Sequence, residues 1–262
     1  MFLGMKLRVL GCQGGSAPAR HLPGLLLDDT VLLEAGSVTS TLSLAEQLEI
    51  RHVLLSHAHL DHTGGLAYLA DNRFCHRLSS GNGGMLTVSS VAPVVEDLHQ
   101  HLFNDRLWPD FSAIPQAWDP VMRLQTLEPC VPKSIGTQLT VIPVPVNHTV
   151  PTVGFIVHDD RGALVFSGDT GPTDRLWKLA RDLGNVRAVI VETSFPNRFD
   201  ALAEISGHLT PARLARELDK MPSCEVWVYH IKPMFHHETV EDLAALDGRR
   251  VRVLCDGEIH TW

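Results

Sequence analysis

The apolar run VLLS at residues 53–56 leads directly into HAHLDHTGG at 57–65, which places three histidines and one aspartate within six positions. A short strand that ends in so many metal-capable side chains delivers ligands to a sheet edge. His57 and His59 are two residues apart, so in extended backbone they project from the same side and both can reach one ion. Asp61 and His62 read as a loop turning into the next helix. Gly64 and Gly65 permit that turn and a close backbone approach, and the loop could supply a second ion. A surface loop that collects histidines by chance is the plain alternative, but the density of the string and its paired glycines favour a metal site. Imidazole and carboxylate ligands suit Zn²⁺ first, with Mn²⁺ or Fe as alternatives, and the absence of nearby thiols argues against a closed structural zinc site.

Three distant stretches also end an apolar run in a ligand type: VIPVPVNH at His148, ALVFSGD at Asp169 and EVWVYH at His230. Singly, these fit a solvated loop histidine, a turn aspartate and a satisfied core histidine. A parallel or mixed sheet, however, collects its active groups at strand ends, and seven such residues at the ends of four strands are what a two-metal centre demands. Without a cation, Asp61 and Asp169 would be like charges held close together, which is costly. The expected arrangement puts His57, His59 and His148 on one ion and Asp61, His62 and His230 on the other. Asp169 bridges, and a hydroxide completes the bridge.

The frame around these residues is α/β. MKLRVLG, GLLLDDTVLLEAG, RHVLLS, TQLTVIPVPV, TVGFIVHD, ALVFSGD, RAVIVETS, CEVWVYHI and RRVRVLCDGEIHTW read as strands. STLSLAEQLE, GGLAYLADNR, PTDRLWKLARDLG and TPARLARELDKM read as helices, the last with Thr210 as N-cap and Pro211 in its first turn. This pattern predicts two sheets packed face to face and covered outside by helices, in one catalytic domain over 1–262. Residues 76–146 break the regularity and are expected to form a partly helical insertion or lid over the site. A formal charge of -8, from 22 basic and 30 acidic residues, disfavours long RNA or DNA as a partner. Five scattered cysteines without a CxxC pair suit a reducing compartment and mostly buried thiols. No run of 18 apolar residues appears, so the expectation is a cytoplasmic protein that makes no use of a membrane.

The string His57, His59, Asp61, His62, followed in order by His148, Asp169 and His230, resembles the metallo-β-lactamase fold superfamily. That resemblance covers nearly the whole chain and implies an αββα four-layer sandwich with two metal ions at one edge. HAHLDHTGGL, SGDTGPTDRLW, VETSFPN, SGHLTPARL and YHIKP together are similar to class II 3',5'-cyclic nucleotide phosphodiesterases, with Thr63 standing where that family more often carries an apolar residue. Hydrolysis of cyclic AMP or cyclic GMP to the 5'-monophosphate by a metal-bridging hydroxide is the implied reaction. The alternative is a tRNA 3'-processing endoribonuclease, whose glutamate and histidine proton-donor pair matches Glu192 and His208. Asp61, Glu192 and His208 are thus the catalytic candidates. Glu192 ends an apolar run and His208 precedes the Thr210 cap, so each also fits a cap or turn role. Lys232 could pair with a phosphate oxygen or be a solvated surface lysine. Phe103, Trp108 and Phe111 could stack on a base or belong to the core. By analogy the chain would form a homodimer. A binding module that had lost its chemistry would be expected to have lost ligands, and every position is filled.

Overall fold

The computed structural model describes residues 5–81, 83–136, 138–246 and 251–262. Runs such as GLLL and ALVF are apolar at every position because their strands are covered on both faces. In the first half of the chain come β1 (Lys6–Gly11), β2 (Gly24–Leu27), β3 (Val31–Leu33), α1 (Val38–Thr41), α2 (Leu44–Glu49), β4 (His52–Leu54), α3 (Leu60–Ser80), β5 (Leu86–Ser90), α4 (Ala92–Asp97), the short hairpin β6 (Pro115–Gln116) and β7 (Asp119–Pro120), and β8 (Met122–Thr126). The second half holds β9 (Lys133–Ile135), β10 (Leu139–Pro145), β11 (Val153–His158), β12 (Ala163–Phe166), α5 (Arg175–Leu183), β13 (Val186–Glu192), α6 (Asp200–Ser206), α7 (Pro211–Leu218), β14 (Glu225–Tyr229), α8 (His236–Ala244), β15 (Val251–Val253) and β16 (Ile259–Thr261).

Two seven-stranded sheets result, in the orders β16-β1-β2-β3-β4-β5-β8 and β15-β14-β13-β12-β11-β10-β9. The pleat sorts each strand's side chains between two apolar layers. Leu25 and Leu27 of β2, Phe155 and Val157 of β11, and Leu164 and Phe166 of β12 meet between the sheets. Leu26 turns outward to join Val38 of α1 and Leu66 and Leu69 of α3. Ile156 and Val165 turn outward against Leu176, Trp177 and Ala180 of α5 and Leu214 of α7. Each fully buried side chain of this size contributes roughly 1.5–3 kcal/mol. The layers run helix, sheet, sheet, helix, as the sequence pattern predicts. Among the described residues no helix is long and apolar enough to cross a membrane.

Helix termini follow the residues that can cap them. Gly184, at φ +70°, closes α5, and the Thr210 hydroxyl accepts from the Arg213 N–H at the start of α7. Ser43 and Glu46 form a reciprocal capping box on α2. The Ser43 hydroxyl and N–H, with Arg8, hold the Glu46 carboxyl down to about 2. Ser43→Ala is expected to cost about 1 kcal/mol and to lower the thermal midpoint by roughly 2–4 °C. Because the Glu46 value is depressed in the folded chain, the part of this penalty that comes from the Ser43 hydroxyl donating to the Glu46 carboxylate is present above about pH 4.5 and fades as the pH falls toward 2, while the part from the Glu46 N–H bond to that hydroxyl persists. Thermal unfolding of variant and parent at neutral and acid pH checks both the size and the fading.

Two expectations are corrected. The helix after the histidine string begins at Leu60 and runs to Ser80, so Asp61 and His62 lie in its first turn and not in a loop. His59 is the capping residue, and its carbonyl accepts from the His62 and Thr63 N–H groups. Gly65 is needed here for close approach: it donates its N–H to the Ala35 carbonyl at 2.8 Å, and a Cβ on it would stand 2.4 Å from that oxygen. Segment 76–146 is partly helical but is no appended lid. β5 and β8 are members of the first sheet, β9 and β10 of the second. Residues between β5 and β8 pack on the outer layer of the first sheet, where Phe103 and Phe111 are fully buried.

Candidate metal centre

β3, β4, β5 and β8 run parallel in the first sheet, and β12, β13, β14 and β15 run parallel in the second. The C-terminal ends of these strands and of β10 gather at one edge of the sandwich. His57 and His59 follow β4, with Asp61 and His62 at the start of α3. His148 follows β10, Asp169 follows β12, and His230 follows β14. Each sheet therefore supplies part of one cluster.

The structure brings the seven residues together. Ligand atoms of His57, His59, His148 and Asp169 lie within 4.8 Å of one another, as do those of Asp61, His62 and His230, and those of Asp169, His208 and His230. Asp169 Oδ2 is 3.4 Å from both His62 Nε2 and His230 Nε2 and 3.8 Å from His57 Nε2, so it reaches toward both groups. Asp61 Oδ2 stands 3.4 Å from His230 Nε2. His57, His62 and His230 are fully buried, while the Asp61 side chain keeps 26% of its exposure.

What lies behind the ring nitrogens shows which atoms are offered. His148 Nδ1 donates to the Gly207 carbonyl at 3.0 Å. His62 Nδ1 faces Glu34 Oε2 at 3.2 Å, His230 Nδ1 meets Ser194 Oγ at 2.9 Å, and His57 Nδ1 meets Ser56 Oγ at 2.8 Å. A nitrogen that faces a carbonyl or carboxylate carries the proton, so the opposite nitrogen presents its lone pair. The Nε2 atoms of His62 and His230 then confront each other at 3.2 Å, and His148 Nε2 confronts His59 Nδ1 at 3.4 Å. Buried His57 Nε2 and Asp169 Oδ1 have no hydrogen-bond partner among the described residues. Converging lone pairs and orphaned acceptors suit a divalent cation.

Not every ring is already neutral: burial works to lower His62, but the Asp169 and Glu34 charges outweigh it and raise the ring well above its ordinary value, so a cation at His62 Nε2 would displace a proton. Burial works to raise the Asp169 carboxyl, but the charges of His230 and His62 outweigh it and hold the group well below the ordinary range. Asp61 is likewise lowered, burial being overcome by the hydrogen bond from His230 and the His62 charge. Desolvation pushes His57, His59 and His148 down toward the neutral, ligating form.

Glu192 and His208 come together beside this cluster. Both are buried, and His208 Nδ1 is 2.8 Å from Glu192 Oε1. The same oxygen accepts from the Thr170 and Leu209 N–H groups at 3.2 Å each. Burial alone would lower the His208 ring, but the Glu192 charge and hydrogen bond raise it. The His208 ring sits 5.0 Å from that of His148 and 5.6 Å, nearly parallel, from that of His230. Lys232 is half-buried, its N–H bonded to the Ser194 carbonyl, and no carboxylate pairs with its ammonium among the described residues. The base-stacking candidates are not at the site. Phe103 and Phe111 are core residues, and Trp108 donates to the Ala67 carbonyl and packs on Tyr68. Of the cysteines, Cys12 and Cys224 are buried, Cys130 is half-buried, and Cys75 and Cys255 are exposed, so the thiols are less buried than expected.

Glu34 went unread in the sequence. It ends β3 just as His148, Asp169 and His230 follow their strands, a signal that could have found it. Its backbone takes a left-handed conformation at φ +62°, as does His230 at +68°, which is costly for residues other than glycine. Ser56 N–H donates to Glu34 Oε1 at 3.0 Å, and Oε2 stands 3.2 Å from His62 Nδ1 as a close charge contact. Glu34→Gln keeps the shape and removes the charge behind the ring. It is expected to weaken divalent-metal binding by about 10- to 100-fold, read by chelator competition.

Residues 32–231 match the family model described as a beta-lactamase superfamily domain. A Yersinia pestis protein named probable 3',5'-cyclic-nucleotide phosphodiesterase is 30% identical over 210 residues, covering 71% of this chain and 58% of that protein. The chain thus spans little more than half of that relative's length. An Aliivibrio fischeri protein named 3',5'-cyclic-nucleotide phosphodiesterase is 26% identical over 246 residues, 79% of this chain and 71% of that protein. The crystal structure of unliganded yeast PDE1 superposes with a TM-score of 0.82 at 18% identity, covering 98% of this chain and 99% of that chain. With the ligand string, the two-sheet sandwich and the family match in agreement, the chain belongs to the beta-lactamase superfamily and has the metallo-β-lactamase fold.

Proposed function

We propose that this chain is a metal-dependent phosphodiesterase that hydrolyses 3',5'-cyclic nucleotides to 5'-monophosphates. The observation that carries the reading is the buried Glu192–His208 pair, 2.8 Å apart, beside the ligand cluster. His57, His59 and His148 would hold one ion and Asp61, His62 and His230 a second, with Asp169 shared between them. When bound, two divalent ions supply Lewis acidity at the phosphoryl oxygens and bring a water's pKa from about 15.7 to about 7.

The chain's own residues do the rest. Asp61 stays ionised and partly open to solvent, a carboxylate able to accept a hydrogen bond from the attacking water. A sugar alkoxide leaves poorly, and a proton delivered to it as it departs is worth roughly 10² to 10⁴ in rate. His208 is the group that can deliver it. Glu192, fixed by backbone donors, holds the ring with Nδ1 toward itself, which turns the Nε2 side outward, and it stabilises the imidazolium. An amide or thioester hydrolase has less need of such a pair. Lys232, whose charge lies near enough to act on His208, supplies a cation for a phosphate oxygen. Names of the relatives support this substrate class.

The test is a substrate panel of cyclic AMP, cyclic GMP, 2',3'-cyclic nucleotides and precursor tRNA, run with zinc- and manganese-loaded protein. Release of 5'-monophosphate from the 3',5'-cyclic substrates is the expected result. Cleavage of precursor tRNA alone would move the assignment to the endoribonuclease, and no cleavage of any phosphodiester would end the reading.

A further inference from the structure

Ser194, two residues beyond Glu192, stands at the junction between the ligand cluster and the proton-donating pair. Its side chain is fully buried. Its backbone is held from both sides, the N–H donating to the Leu209 carbonyl and the carbonyl accepting from the Lys232 N–H, each at 3.1 Å. Around its hydroxyl lie His230 Nδ1 at 2.9 Å, Glu192 Oε2 and His208 Nδ1 at 3.1 Å each, and the His230 carbonyl at 3.3 Å.

A serine hydroxyl has one proton to donate and two lone pairs. Glu192 can only accept and is the charged partner, so the Ser194 proton goes to Glu192 Oε2 in preference to the longer contact with a neutral carbonyl. His208 Nδ1 lies closer to Glu192 Oε1, at 2.8 Å, and gives its proton there. His230 Nδ1 has Ser194 Oγ as its sole hydrogen-bond partner among the described residues, so it donates to that oxygen. One directed chain follows: His230 Nδ1–H to Ser194 Oγ, then Ser194 O–H to Glu192 Oε2, with Glu192 Oε1 receiving His208. Every hydrogen has a single direction, and reversing any link would set two donors or two acceptors face to face.

We infer that Ser194 is a positioning residue that serves both halves of the site at once. It aims the His230 Nε2 lone pair at the ligand cluster and orients Glu192, and through Glu192 the His208 ring. The link to turnover rests on the phosphodiesterase reading; the link to His230 does not.

The experiment uses the full chain with Zn²⁺ as the probe. In Ser194→Ala, zinc binding measured by chelator competition is expected to weaken by about 10- to 100-fold, the range seen when the group behind a ligating histidine is removed. Nitrogen-15 spectra of the imidazoles of the zinc-loaded protein should show the His230 Nδ1–H signal shifted or lost. Ser194→Cys, which keeps a small acceptor of similar size, should recover part of the affinity, and circular dichroism checks that each variant is folded. At saturating zinc, Ser194→Ala should lower kcat on a cyclic nucleotide at least about tenfold, whereas in a His208→Ala background the same change should cost no more than about twofold, the scatter within which such double-mutant cycles resolve coupling. Unchanged zinc affinity together with an unmoved His230 signal would overturn the positioning role. An equal kcat loss with and without His208 would overturn the link between the halves. A parent that binds zinc and cleaves no phosphodiester overturns the functional reading instead, while the affinity and imidazole measurements still decide the role toward His230.

Discussion

Asp169→Ala is expected to lower the metal content of the purified chain and to abolish phosphodiester hydrolysis. Asp169 Oδ2 lies within 3.8 Å of ring nitrogens from His57, His62 and His230, and so touches both ligand groups. Removing it takes away the charge that a pair of cations would share, leaving Asp61 beside His230 and His62 but no carboxylate that reaches His57 as well. A buried ion network that loses one partner is destabilised by about 3–5 kcal/mol, so thermal stability in the presence of metal should fall as well. Elemental analysis after dialysis against a weak chelator, combined with a hydrolysis assay, measures both effects. A variant that keeps full metal content and activity would contradict the shared position of Asp169.

His208→Ala should leave the bound metal in place and slow cyclic nucleotide turnover by about 10² to 10⁴, the range for a lost general acid. The loss should be much smaller on a phosphodiester with a nitrophenolate leaving group, which departs without a proton. A ring nitrogen of His208 also lies within 4.8 Å of ligand atoms of Asp169 and His230, but its Nδ1 is engaged by Glu192, and this is why metal content and turnover are expected to separate. Equal losses on both substrates would remove the proton-donor role. A loss of metal would show that His208 belongs to the ligand set.

The ligand string was legible because imidazoles and a carboxylate crowded so closely repay their desolvation only around a cation, and the distant ligands were legible because each follows an apolar run. The two-layer pattern could be read from composition along the strands: runs such as GLLL and ALVF fit strands covered on both faces. Helix and loop at the string could not be told apart by spacing, since His59 caps a helix through its own backbone and Gly65, which looks like a turn residue, serves close packing against Ala35. LTVSS, which became β5, was hidden beside the Gly-rich stretch before it. The groups behind the rings were the least visible. Ser56, Glu34 and Ser194 are ordinary residues in sequence; Ser56 meets His57 as its chain neighbour, while only the pairing of β3 with β4 and of β13 with β14 brings Glu34 against His62 and Ser194 against His230.

The division of donors between the two sheets has a mechanical consequence. His57, His59, Asp61 and His62 belong to one slab, His148, Asp169 and His230 to the other, and neither owns a full coordination set. An ion seated between them would act as a clasp across the seam, tightening only when the slabs are in proper alignment. Slippage of one against the other would open the clasp before it unfolded either slab, so occupancy would gauge how well the halves are mated.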